Sequence, residues 1–387
     1  MTSNNRTKIT MTVLTPVSIG AGSDKDWIYG LDYILKDGNI YVIDLRKAVA
    51  NGVPIKDLTA ALQSQDSKAI RQILEDRLET IVKSDDYIFP APLTDSKAYA
   101  SPIKTFIRTC GQPYVPGTSL KGAIRSALTN YLIGQQNVDY RSGRFTTKVY
   151  SERTHQNKDV DVYGSVTDGE DIMRFIQVGD MKLHATQLLN TNVFNLQGVS
   201  QNWKGGWKHA DNFTSDNFKD AGFNTIYECA VPGSQATGSI TFNTNAFAIL
   251  PHKEQMVSMP QKEQLMDDTR GLPTLFSIIN RQTLEYLKEE LRFFQTFPTE
   301  RTVEIEQCIQ DLIEATENSA PSSCIIKMSA GSGYHSISGN WRDKDFTKDH
   351  AHQVKKNGEQ MEIPFKSRKI VTCEGRLQLM GFVKLQA

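Results

Sequence analysis

The chain has 387 residues, 39% of them hydrophobic, and carries 44 basic against 44 acidic side chains. That length allows more than one core, and a mean hydropathy of -0.41 describes a soluble globular protein. A formal charge of +0 argues against a surface that grips nucleic acid all round; no apolar run reaches bilayer length, and five scattered cysteines without a Cys-x-x-Cys pair suggest neither zinc nor disulfides. Residues 1–5 hold no apolar signal core, so a cytoplasmic protein with reduced thiols is expected.

Lys8 to Leu14 alternates apolar and polar residues and predicts a strand. The loop Gly20-Ala21-Gly22-Ser23-Asp24 follows, then strands near Leu31–Leu35 and Ile40–Ile43 around the turn Asp37-Gly38-Asn39. Helical spacing of Ala69, Ile70, Ile73, Leu74, Leu78 and Ile81 predicts a helix with Asp66 as its cap.

Pro113 to Leu128, PYVPGTSLKGAIRSAL, joins a glycine turn to an amphipathic helix. Leu120, Ala123, Ile124, Ala127, Leu128, Tyr131 and Leu132 keep an i, i+3, i+4, i+7 pattern. Thr118 or Ser119 can cap its first turn, and Gly134 can end it. Lys121 and Arg125 project from one flank, so N–H groups, a hydroxyl and two cations offer a seat for a phosphate. The competing reading is an ordinary core helix with solvated cations. A P-loop is excluded by order, because the lysine does not directly follow Gly117.

Residues 138–170 are polar, basic and aperiodic, and read as an insertion expected to be mobile. Phe175–Val178 regains strand character, as does the pair Tyr227–Val231 and Gly238–Phe242, split by Pro232-Gly233. A βαββαβ order accommodates these pieces. The chain turns polar from Pro251 to Asp268, which places a domain boundary between 1–250 and 265–387. A long helix is predicted over Leu275–Phe297, stopped by Pro298, with a second, acid-rich helix packed against it. Cys324–Met328 and Phe382–Leu385 read as strands on either side of the glycine-rich turn at 330–333.

Charge is segregated despite the neutral total. Ser101 to Arg125 carries Lys104, Arg108, Lys121 and Arg125 without an acid, and Arg141 to Lys158 is also basic. Trp203 to His209 interleaves aromatics and cations, which suits either base stacking or a protein interface; an interface is the reading preferred here.

Pro116 to Arg125 resembles the proline-glycine-serine-leucine-lysine-glycine-x-x-arginine signature of the RAMP superfamily, the RNA-binding proteins of CRISPR systems. The strand, glycine loop and hairpin from Val13 to Asp44 resemble the start of RAMP domains. At the other end, IPFKSRKIV and LQLMGFVKL resemble the endings of the subgroup that caps type III-A Csm effector complexes. Phe382, Ser367 and Gly179 depart from the usual tryptophan, threonine and serine of that subgroup, and none alters a charge.

The resemblance implies an α+β protein of two ferredoxin-like, RRM-like domains with helical and loop insertions. It implies RNA contacts at Gly20, Gly22, Gly117, Thr118, Ser119, Lys121 and Arg125, and at Gly331, Gly333, Tyr334, His335, Lys366 and Arg368. Tyr334 and His335 suit stacking on a splayed base. Lys366 and Arg368 would share one face of a strand, where phosphate contact and edge protection compete. For catalysis only Asp24, Asp26 and His335 present themselves, and a turn cap or solvated carboxylate explains the aspartates better. No metal or cofactor is expected.

Three functions follow. The favoured one is a non-catalytic subunit that holds the 3′ region of a CRISPR RNA, caps the backbone filament and assists guide maturation. Its partners would be a neighbouring RAMP backbone subunit, a small helical subunit and recruited cellular nucleases. The runner-up is an endoribonuclease cutting guide precursors, and the third is a structural subunit with no RNA grip.

Overall fold

A computed structural model describes residues 5–64, 67–135, 171–199, 202–209, 213–249, 262–331 and 367–387, with short pieces at 140–141, 144–145, 150–151, 156–157, 163, 352–354 and 360–362. The strand Asn5–Val13 buries Ile9, Met11 and Val13 and turns Thr10 and Thr12 to its other face, as its alternation requires. It pairs antiparallel with Gln235–Phe242 on one side and with Phe382–Gln386 on the other. Ile176–Val178 and Ser323–Lys327 complete this five-stranded sheet at its two edges. Followed along the chain, Asn5–Val13, the helix Gly117–Gln135, Ile176–Val178, Gln235–Phe242, the helix Gly271–Thr296 and finally Phe382–Gln386 give the split βαββαβ arrangement, with Ser323–Lys327 added outside.

A second antiparallel sheet is organised around the long strand Gln187–Val199. Asn224–Cys229 and Asn202–Lys208 pair with its two halves along one side, and Ser367–Cys373 pairs along the other. Both large sheets take strands from either side of residues 251–264, so the expected division at 1–250 and 265–387 cuts across them. The helix Gly271–Thr296 ties them together. Its first half puts Leu275, Phe276 and Ile279 into the core under the first sheet. Its second half puts Tyr286, Leu287 and Phe294 into the core under the second, where Ile305, Ile309 and Leu312 of Thr302–Glu317 join them. The outer edge of Ser323–Lys327 is closed by two side chains of the helix Gly271–Thr296, with the Thr283 hydroxyl donating to the Ile325 carbonyl at 2.7 Å. Asn280 donates to the Ser323 carbonyl at 3.1 Å and accepts from the Ile325 N–H at 2.9 Å, copying a neighbouring strand.

Several expectations change at this level. The strand character read at Tyr227–Val231 and Gly238–Phe242 is present as Asn224–Cys229 and Gln235–Phe242, but the first belongs to the second sheet and the second to the first. Gly233, at φ 85°, turns the chain from one to the other. The single helix expected over 69–81 is two, Ser67–Leu74 and Leu78–Ile81, joined by a 3-10 turn, and Leu45–Ala50 and Ile55–Gln63 precede them. Asp66 lies outside the described residues. Trp207 is a core residue, 1% exposed, whose indole donates to the Glu300 carbonyl, so the 203–209 stretch does not present it to a partner. Of the 138–170 insertion, only the short pieces named above are described.

Candidate nucleic-acid interface

The signature helix runs from Gly117 to Gln135 and buries Leu120, Ile124, Leu128 and Tyr131, the stripe its spacing demanded. It starts two residues earlier than a Thr118 cap would set it, and three earlier than a Ser119 cap would. The N–H groups of Ser119 and Leu120 already donate to the Pro116 carbonyl, and the Gly117 N–H donates to an Asp180 carboxylate oxygen at 2.7 Å. A Cβ on Gly117 would stand 2.1 Å from the Val178 carbonyl oxygen, so only glycine lets the helix start dock there. The helix N-terminus therefore carries a carboxylate from the protein itself, where a bound phosphate was expected.

The acid-free cationic run is neutralised in three dimensions. Lys104 pairs with Asp26 at 2.6 Å, Arg108 with the fully buried Glu228, and Arg125 with Asp171 at 3.2 Å. The Arg125 guanidinium also lies 4.0 Å from the centre of the Tyr163 ring. Lys121 is the cation of this run with no ion pair among the described residues. Burial holds its ammonium below the usual lysine range, with Asp171 pulling it up and Arg125 pushing it down.

Segments at or beside three of the expected stretches come together, although Gly20 and Ser119 are the only expected contact residues in the described lining. Ser18, Ile19 and Gly20 of the first loop, Ser119, Gly122, Ala123 and Ser126 of the helix, and Lys327 to Ala330 of the late loop line one open groove of about 440 Å³. The Ser18 N–H donates to the Ser329 hydroxyl at 2.9 Å, and the Ala330 N–H donates to the Ser18 carbonyl at 2.7 Å, which pins the first loop to the late one. Gly381, at φ 100°, admits Ser329 so closely that a Cβ would stand 2.7 Å away. The walls are small, and Lys327 is the one charged side chain among the described lining residues. Its ammonium donates to the Tyr286 hydroxyl at 2.6 Å, and burial pushes it down to about 8.

The helix presents its serine and glycine face to this groove, whereas Lys121 and Arg125 occupy another flank, beside Asp171. Arg368 is not at the groove either. It makes a buried pair with Glu290 of Gly271–Thr296, at 2.7 Å, and covers the Phe293 ring at 4.0 Å. Asp26 is held by Lys104 and by the Thr105 N–H, and Asp24 is exposed beside Lys25. Gly22 adopts φ 109° at the end of the first loop, and Gly331 adopts φ 76° just beyond Ala330. Gly333, Tyr334, His335 and Lys366 lie outside the described residues. Among the described residues no group of three or more histidine, cysteine or carboxylate side chains is placed to hold a metal.

Two residues of interest escaped the sequence reading. Asp180 was invisible because it lies 63 positions from the helix it caps. Lys369 stood next to the favoured Arg368, and only the strand's alternation separates their surroundings.

Fold and groove together define an α+β protein on a ferredoxin-like sheet, with glycine loops and a signature helix converging at one charge-poor cleft. The family model described as the RAMP superfamily matches residues 10–262, and the chain belongs to that superfamily. A curated relative from Methanocaldococcus jannaschii, described as CRISPR system Cms protein Csm5, is 32% identical over 128 residues, which is 31% of this chain and 29% of the relative. The matched stretch thus spans less than a third of that protein's length. A chain of the cryo-EM structure of a Csm-crRNA-target RNA ternary complex of a type III-A CRISPR-Cas system superposes with a TM-score of 0.66 at 18% identity, covering 98% of this chain and 100% of that one. The crystal structure of T. onnurineus Csm5 gives a TM-score of 0.57 at 17% identity, covering 97% and 99%. At these identities the two structures establish the shared antiparallel α+β fold. No helix among the described residues is long and apolar enough to cross a membrane.

Proposed function

We propose that this chain is a non-catalytic RNA-binding subunit of a type III-A CRISPR effector, holding the 3′ region of the guide and capping the backbone filament. The observation that carries this reading is the convergence of the first loop, the signature helix and the late loop on one groove. Its lining offers serine hydroxyls and small side chains that let a sugar-phosphate backbone come close, a surface suited to 2′-hydroxyls and phosphates rather than to base edges. A guide varies in sequence, so its holder gains nothing from reading bases. A charge-poor groove with Lys121 on a neighbouring flank also matches the neutral composition. The relative described as Csm5 and the Csm-crRNA-target complex support the placement in such an effector. Neighbouring RAMP backbone and small helical subunits are the partners in this reading, with guide maturation assisted through recruited nucleases.

The runner-up endoribonuclease gains no support from the aspartates. Asp26 is committed to Lys104 and Thr105, and Asp24 faces solvent beside Lys25. The test is an end-labelled guide RNA incubated with the purified chain, with and without Mg²⁺, at several salt concentrations. Salt-weakened binding without a cut product is expected. Cleavage at one position, lost in His335→Ala or Asp24→Ala, would replace this reading with the nuclease.

A further inference from the structure

The strand Ser367–Cys373 sends Arg368 and Lys369 to opposite faces of the second sheet. Arg368 enters the face covered by Gly271–Thr296. Lys369 enters the other, where Tyr227, Val371, Cys373 and Met380 gather against Ala330. Its ammonium contacts the Tyr227 hydroxyl and lies 4.5 Å from the centre of that ring. Lys104 bridges to Tyr227 through its backbone and is near enough to repel Lys369.

The acids around this pair are already engaged. Asp26 is bonded to Lys104, and Glu228 accepts from Arg108, from the Thr186 hydroxyl and from the Phe106 N–H. Lys104 with Asp26 and Arg108 with Glu228 therefore cancel, and Lys369 remains. Among the described residues no carboxylate pairs with it. A half-buried cation without a counter-charge is unfavourable, and a bound anion would relieve it.

The position of this cation ties it to the groove. Ala330 lines the groove and also packs against the Tyr227 cluster. Gly331, the next residue, passes so close that a Cβ on it would stand 2.8 Å from Lys369 Cδ. A strand leaving the groove over Gly331 meets Lys369 first.

We propose that Lys369, together with the Tyr227 hydroxyl it contacts, binds one phosphodiester group of a single strand as it leaves the groove past Gly331. This rests on the RNA-binding reading above for its ligand, and on the local charge imbalance for its place. Tyr227 donates or accepts a hydrogen bond as the phosphate oxygen and the lysine require. Burial, with Lys104 as the second cause, pushes Lys369 down to about 8, which also makes its amine unusually reactive toward acylation near neutral pH.

The experiment is a lysine-acylation footprint of the full chain read by mass spectrometry, with tripolyphosphate and with a short single-stranded RNA as separate probes. Lys369 is expected to label rapidly in the free chain and to be protected severalfold by either probe. Lys369→Met should weaken RNA binding by roughly tenfold and lower the slope of log affinity against log salt by about 0.7. Lys369→Arg should retain both if the variant folds and only charge is required. Protection by tripolyphosphate in a chain that does not bind RNA would keep the anion site and remove the RNA reading. RNA that binds while Lys369 labels as before, with an unchanged salt slope in Lys369→Met, would overturn the inference. So would labelling unaffected by both probes.

Discussion

Replacing Arg108 by methionine separates the cations that hold the fold from those free to meet a ligand. Glu228 is fully buried and Arg108 has 16% of its side chain exposed. In Arg108→Met the carboxylate would keep the Thr186 hydroxyl at 2.5 Å and the Phe106 N–H at 2.8 Å but lose its counter-charge. Leaving one member of a buried pair alone costs about 3–5 kcal/mol, and the two surviving donors place this case near the lower end, about 3 kcal/mol. The double variant Arg108→Met/Glu228→Gln removes the stranded charge and should recover part of that loss. Urea unfolding of wild type, both single variants and the double variant measures the effect. At a temperature where Arg108→Met remains folded, its RNA affinity should follow the same salt slope as wild type, because Arg108 contributes no free charge. A loss below about 1 kcal/mol in Arg108→Met would refute the reasoning, as would a reduced salt slope with unchanged stability.

Gly117→Ala should destabilise the fold by at least about 1–3 kcal/mol, since its methyl would collide with the Val178 backbone; thermal unfolding checks this, and a near-neutral change would contradict the docking described. Asn280→Ala should cost about 1–3 kcal/mol by leaving the Ser323 carbonyl and Ile325 N–H without partners at a sheet edge, read as faster amide exchange at Ile325. Lys327→Met gives a pH-dependent comparison. Burial lowers Lys327 to about 8, so between that value and about 10.4 the unfolded chain binds more protons at this site than the native one. Wild-type stability should therefore rise relative to Lys327→Met as pH increases through this window. The thiols of Cys229, Cys308, Cys324 and Cys373, raised by burial, act in the opposite sense but alike in both proteins. A stability difference that stays constant with pH would contradict the assignment.

What the sequence disclosed was local, and what it hid depended on distant pairing. The stripe from Leu120 to Tyr131 and the two helices ahead of Ser323 were legible because each repeats apolar residues at a helical period. The strand Gln187–Val199 went unread because Asn190 and Asn192 occupy buried positions in it. They are satisfied by each other and by the Lys219 and Asp220 carbonyls, partners no pattern announces. The basic run from Lys104 to Arg125 read as a surface patch, yet Asp26, Glu228 and Asp171 reach it from 78, 120 and 46 residues away. In the same way Trp207 read as exposed because its packing against Phe194 and Phe218 is tertiary. At the site, the first loop, the signature helix and the late loop were legible as separate motifs. Their meeting, and which side of the helix faces the groove, required the sheet order that places Phe382–Gln386 beside Asn5–Val13.

The most direct test of the groove as the RNA path is zero-length photo-cross-linking of a 4-thiouridine-substituted guide RNA to the chain, with the linked peptides identified by mass spectrometry. The account predicts links concentrated at Ser18–Gly20, Ser119–Ser126 and Ser329–Gly331, lost together when Gly122→Glu places a carboxylate on the groove wall. Links confined to the outer faces of Gly271–Thr296 and Thr302–Glu317, with none in those three segments, would contradict it.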